Sequence, residues 1–245
     1  MVSIPWLPKP TVDLIERTTA AMKKGLGGAL SSAILVGSAM NPARADRARL
    51  PEIVGIAVPP FAIGKLAEHL RDPMGSGARV RIILEDELVA SADVFALEIA
   101  EWKARHVVLH GDDPLAALTP TPAHLRHGIE MELRGLTRRA RNRVLTGIAT
   151  ERGRDDPFEG VLVGFDRVLV SAYHTLGLLG IPPGETERDI VLTIAEQCDA
   201  ESAAFLAQLE VVRRGGRFDP LHALEVLLAF TEPLTNLVDR LEVTA

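Results

Sequence analysis

The residues best placed to do chemistry lie within one short stretch of the first quarter of the chain. An apolar run, Ala33-Ile34-Leu35-Val36, ends in Gly37-Ser38, and thirteen residues separate Ser38 from Glu52, which heads a second apolar run. Glycine then serine at the end of a buried strand brings a backbone amide and a hydroxyl to a phosphate with no bulky side chain in the way. A carboxylate such as Glu52 is a ligand for a hard divalent cation, and acids that alternate along a strand point to one face. The position where a second acid would alternate is Val54. Between the two runs lie Arg44, Arg47 and Arg49. Guanidinium is the side chain best shaped for bidentate contact with phosphate, so this loop is a candidate anion-binding segment. By itself, Gly-Ser after an apolar run is also an ordinary tight turn, and the loop arginines are also an ordinary solvated basic loop.

Three other groupings have chemical potential. His106 and His110 are four apart, with Asp112 and Asp113 following. On a helix that spacing makes half a metal site, but Val107-Val108-Leu109 reads as extended and would hold the two histidines apart. Arg167 and His174 enclose six residues on one expected helix; the pair resembles the Arg–His element of helical ribonuclease domains of the HEPN kind, which implies action on an RNA phosphate, and an Arg–His pair sharing a bundle face with Asp166 as partner fits as well. Arg126, Arg134, Arg138, Arg139, Arg141 and Arg143 line an expected helix that also carries Glu130 and Glu132. A phosphate-binding stripe and a solvated, ion-paired helix face both fit that pattern.

The elements that must position these residues can be read from hydrophobic period. Three prolines in residues 1–10 imply an irregular arm. Thr11 is the expected cap of a helix carrying Leu14, Ile15, Met22 and Leu26, with Thr18 on the same stripe and Gly25, Gly27 and Gly28 ending it. Strands are expected at 33–36, 53–58 and 79–84, with a helix over 61–71. From Ser91 the pattern is helical through Val94, Leu97, Glu98 and Trp102, and Val107-Val108-Leu109 leads into a cluster of glycine, proline and threonine. Beyond it Leu125, Ile129, Leu133, Leu136, Ala140 and Val144 form one helical stripe. Further helices are expected over 158–179, as two shorter elements within 185–214, and through Leu224 to Leu241. An antiparallel bundle is the expected arrangement.

Composition narrows the function classes. Of 245 residues 47% are hydrophobic, enough to bury one large core or two modest ones. A net charge of -6 and only 4% aromatic residues argue against sequence-independent nucleic-acid binding by the whole surface. The single cysteine, Cys198, makes no intramolecular disulfide and suits a reducing compartment; a cytoplasmic location is expected. The longest apolar stretch, 161–181, is interrupted by Asp166, Arg167 and His174 and reads as a buried helix, so no membrane association is expected.

A strand ending in Gly-Ser, a loop, and a strand headed by an acid resemble the signature of the nucleotidyltransferase superfamily, whose second strand carries acid-apolar-acid-apolar. Three more segments occur in a matching order: 91–98 (Ser-Ala-Asp-Val-Phe-Ala-Leu-Glu), 103–115 (ending His110-Gly-Asp-Asp-Pro-Leu115) and 125–135 (Leu-Arg-His-Gly-Ile-Glu-Met-Glu-Leu-Arg-Gly). They resemble bacterial and archaeal nucleotidyltransferase-domain proteins, and the likeness spans roughly residues 30–145. It implies an α+β chain: a small nucleotidyltransferase-like α/β head over residues 1–115, then an all-α helical bundle over 116–245, as in aminoglycoside-modifying relatives. It implies Gly37 and Ser38 facing the phosphates of a nucleoside triphosphate, and Glu52 at the surviving catalytic, metal-binding position for Mg2+. Asp93 and Glu98 fall on matched positions; there a carboxylate could serve as a general base, or simply favour a helix N-terminus.

The chain departs from the pattern at Ala96, Asp112 and above all Val54, and its third strand offers Arg79 and Arg81 with no acid before Glu85 and Asp86. One firm acid does not hold two magnesium ions. The expectation is therefore a catalytically degenerate homologue that binds a nucleotide or a partner. Two alternatives stay open. One is an active metal-dependent transferase acting on a small molecule or protein, if Asp46, Glu85 or Asp86 converges with Glu52. The other is a non-enzymatic interaction module, toxin–antitoxin-like, with a protein partner on the helical half. The abundance of apolar residues also suggests a homo-oligomer.

Overall fold

A computed structural model describes residues 4–40, 50–149, 157–216 and 218–243, with backbone only at 38, 148–149 and 157–159. The chain divides into two compact units, Met1–Pro120 and Thr121–Ala245. The first is an α/β head. Helix α1 (Lys9–Leu26) leads into strand β1 (Leu30–Val36), and a short 3-10 turn covers Gly37–Met40. Strand β2 (Glu52–Ala57), helix α2 (Ile63–Gly75) and strand β3 (Arg79–Leu84) form a parallel crossover. Helices α3 (Glu85–Ala90) and α4 (Ala96–Ala104) and strand β4 (Val107–His110) complete the unit. The sheet order is β3-β2-β1-β4, with β1 antiparallel to both β2 and β4.

Strand alternation sends the apolar residues of the strand centres to one of two layers. Ala33, Leu35, Ile53 and Ala57 pack in a cluster with Met22 and Leu26 of α1 and Leu66 and Leu70 of α2. Ile34, Val36, Val54 and Ile56 pack in the other, with Leu88 of α3 and Ile99 and Trp102 of α4. The even-numbered residues of β2, Glu52 among them, therefore belong to the α3/α4 side, as does Arg81 of β3. Gly55, on the opposite side, is closely packed: a Cβ there would stand 2.3 Å from Met22 Cε, so the methionine side chain would have to shift.

Four details differ from the sequence reading. Helix α1 begins at Lys9, ahead of the expected Thr11 cap, and has no side-chain cap; Pro8 precedes it and Pro10 sits in its first turn, where a fixed φ and a missing N–H do no harm. The arm before it contributes to the core: Ile4 and Leu7 are buried, and the Trp6 indole donates to the Ala39 carbonyl at 3.0 Å. Glu85 and Asp86, which the sequence reading left without an element after the third strand, open α3 together with Glu87, because three carboxylates in a first turn favour the helix dipole. The head also extends to Pro120, beyond the expected 115, since Leu115 and Leu118 are buried in the α3/α4 layer.

The second unit is helical: α5 (Pro122–Ala149), α6 (Pro157–Leu178), α7 (Glu187–Cys198), α8 (Ser202–Arg213) and α9 (Pro220–Arg240). The stripe Ile129, Leu133, Leu136, Ala140 and Val144 is buried throughout. Phe205 of α8 is the hinge of an aromatic core, 4.8 Å from Phe165 and stacked on Phe230 at 4.2 Å between ring centroids. Helix α6 is the one described helix long and apolar enough to cross a membrane, over Gly160–Leu178, and half of that window is buried within the protein.

Candidate functional site

The turn after β1 is set by Gly37, whose φ of +79° is a conformation that side chains other than glycine's rarely adopt. Val36 and Glu52 are cross-strand partners, so the turn passes directly beside the first residue of β2. A Cβ on Gly37 would lie 3.3 Å from Glu52 Oε2. The structure thus brings Gly37 and Glu52 together. Ser38 lies in the turn by its backbone. Arg44, Arg47, Arg49 and Asp46 lie outside the described residues.

What surrounds Glu52 was not expected as a site. Arg81 is the register partner of Val54 across the parallel β2–β3 pair, one alternation along from Glu52 and on the same face. Its Nη2 lies 2.7 Å from Glu52 Oε1, and its Nη1 donates to Glu98 Oε1, also at 2.7 Å. The guanidinium carbon sits 4.8 Å from the centroid of the Trp102 ring, a cation–π contact. Glu98 and Trp102 are four apart on α4, so one helix face presents a carboxylate to the guanidinium edge and an indole to its plane. Trp102 is buried, whereas the Glu52, Arg81 and Glu98 side chains keep 27%, 38% and 34% of their exposure. Arg81 Nε is buried and has no partner among the described residues. Sequence reading placed Glu98 at a matched position, as a general base or a helix-terminal charge, and took Arg81 as a cation that would repel metal, without joining the two. Only the strand register and the α4 packing join them.

These residues do not fit a two-magnesium centre. Val54 is fully buried among apolar side chains and offers no ligand. Arg81 places a cation on the two carboxylates that remain. Glu85 and Asp86 cannot rescue the site. Glu52 pairs with Arg79 at one end of β3, and Glu85 follows the other end, six residues and roughly 20 Å away. Among the described residues no group of three His, Cys, Asp or Glu side chains could hold a metal ion.

The remaining candidates resolve into local structure. Asp93 is exposed, and its carboxylate accepts from the Val94 amide at 2.8 Å, next to the start of α4. His106 Nδ1 donates to the Trp102 carbonyl at 3.0 Å, and its Nε2 lies 3.2 Å from Asp113 Oδ1. His110 belongs to β4, and its carbonyl and that of Asp112 both accept from Ser32 Oγ. These groups brace the end of the sheet and do not converge as ligands.

In the helical unit, Arg167 pairs with Glu132 at 2.9 Å. Asp166 pairs with Arg213, which also donates to Glu187 and so joins α6, α7 and α8. His174 is mostly buried, and burial together with the nearby Arg167 charge lowers its pKa to about 4. Three of the α5 arginines are drawn into ion pairs: Arg126 and Arg134 to Glu130, Arg134 also to Asp239, and Arg139 to Glu132.

A small mixed α/β head with a Gly-Ser turn facing the first residue of the next strand, followed by a helical unit, is the nucleotidyltransferase architecture, and the chain has that fold. No family model matches the sequence, and no curated protein matches it. Among solved structures it is similar to spectinomycin adenyltransferase AAD(9) from Enterococcus faecialis, determined with ATP and spectinomycin, covering 94% of this chain and 99% of that one. The TM-score is 0.57 at 12% sequence identity, a likeness of fold.

Proposed function

We propose that this chain is a catalytically degenerate nucleotidyltransferase-like protein whose head binds a nucleotide without metal-dependent transfer. The observation that carries the reading is the Arg81 guanidinium held between Glu52 and Glu98 at 2.7 Å from each. In a working member of the superfamily this surface needs converging carboxylates to hold the cations that stabilise attacking and leaving oxygens. Here one acid position is Val54, and the two carboxylates of the cluster already share one guanidinium. The similar AAD(9) structure, solved with ATP, supports a nucleoside triphosphate as the ligand to test.

Charge assigns the parts. Two carboxylates and one guanidinium leave the cluster net negative, so it does not attract a metal-free triphosphate by itself. In this reading the binding charge comes from Arg44, Arg47 and Arg49, with the open backbone of Gly37 and Ser38 receiving the phosphates. The test is thermal stability with ATP, GTP, CTP or UTP, with magnesium or with a chelator. A ligand at about 100 times its dissociation constant adds roughly 2.7 kcal/mol if it binds only the folded form. The expected result is a stabilisation that persists in chelator and disappears when Arg44, Arg47 and Arg49 are all alanine. No shift with any nucleotide would end this reading and turn the search to a protein partner for the helical half.

A further inference from the structure

We infer that Arg81 is a built-in counter-ion that keeps divalent metal out of the head. The inference deepens the reading above and can be tested without any nucleotide. Arg81 is fixed in four ways: by its place in β3 opposite Val54, by an ion pair to Glu52, by a second to Glu98, and by the Trp102 face. The two ion pairs use different nitrogens of one planar fork, so the two carboxylate oxygens lie no more than about 8 Å apart. Small rotations of two glutamates would let a single cation bridge that span. With the guanidinium between them, an incoming divalent ion meets a like charge and must first break both pairs. A neutral residue at position 81 reverses the situation. Glu52 and Glu98 would then face each other with no cation, and a hard, oxygen-preferring ion would be the natural partner.

Terbium, a hard oxygen-seeking ion that emits when a nearby tryptophan is excited, reads this directly because Trp102 lines the cluster. Wild type is expected to show only the weak background emission of surface carboxylates. Arg81→Gln is expected to gain sensitised emission by about tenfold or more at equal terbium, since a like charge has been removed from the site. Adding Glu52→Gln or Glu98→Gln to it should return the signal to background. A folded Arg81→Gln protein, verified by circular dichroism, that gains no emission would overturn the inference. A second measurement needs no change at position 81. Manganese titrated into wild type, followed by water proton relaxation, should match the Glu52→Gln variant. Relaxation enhancement in wild type that Glu52→Gln removes would overturn the inference, whatever the nucleotide experiments show. Failure of nucleotide binding alone would leave it standing.

Discussion

Replacing His174 by glutamine should remove a large part of the pH dependence of stability below neutrality. His174 lies on α6 with the Tyr173 ring edge-on to it, 5.2 Å between centroids, and its pKa is lowered to about 4 by burial first and by the Arg167 charge second. In the unfolded chain a histidine titrates near about 6.5. Between these values the unfolded state binds a proton that the folded state refuses. The contribution is therefore complete above about pH 6.5 and is lost as pH falls, by about 1.4 kcal/mol per unit, until roughly pH 4. Between pH 7 and pH 4.5 wild type should lose about 2.5 kcal/mol more than His174→Gln. Every other titrating group is common to both proteins and cancels in the difference. Urea unfolding followed by circular dichroism at the two pH values measures it. Arg167, held by Glu132, is present in both and keeps its charge throughout. Equal losses in the two proteins would refute the burial argument for His174.

Gly55→Ala should cost about 2 kcal/mol by overpacking, since the added carbon meets Met22 Cε at 2.3 Å and Ile82 Cδ1 at 3.0 Å. Combining it with Met22→Ala in a double-mutant cycle should recover part of that loss, and strict additivity would contradict the packing account. Arg213→Leu removes a guanidinium that the structure pairs at 2.8 Å with both Asp166 and Glu187, and should lower the stability of the helical unit by about 2 kcal/mol in thermal unfolding. Arg213→Lys should recover some of it. Gly37→Ala forces a side chain into φ +79° beside Glu52 and should cost about 1–2 kcal/mol together with nucleotide affinity, read by thermal shift with and without ATP.

Much of the element plan was legible because the apolar periods are clean. The α5 stripe from Ile129 to Val144 and the β-branched run of β3 each have one reading, and both are buried or half-buried as their period demands. Where the sequence misled, a local signal lost to context. Thr11 looks like a cap, but Pro8 and Pro10 start the helix earlier. Glu85 and Asp86 follow the third strand with no element assigned, and a helix dipole uses them with Glu87. The site was half legible. The resemblance to the nucleotidyltransferase signature singled out Gly37, Glu52 and the missing acid at Val54, and the structure brings Gly37 and Glu52 together. The ion-pair cluster could not. Glu98 is 46 positions beyond Glu52 on a different element, and nothing local says which face of α4 meets β3. An arginine one alternation along from an acid, with a glutamate and tryptophan four apart on the next long helix, is the pattern that would have suggested it.

The proposed head takes nucleotide without divalent metal, and calorimetry tests that most directly. The nucleotide that gives the largest thermal shift should be titrated into wild type in magnesium and in chelator, and into Glu52→Gln in magnesium. The account predicts binding to wild type with the same affinity, within about twofold, in magnesium and in chelator. Binding that requires magnesium and is lost in Glu52→Gln would contradict it, and would show instead that a cation displaces Arg81 from the two glutamates when nucleotide arrives.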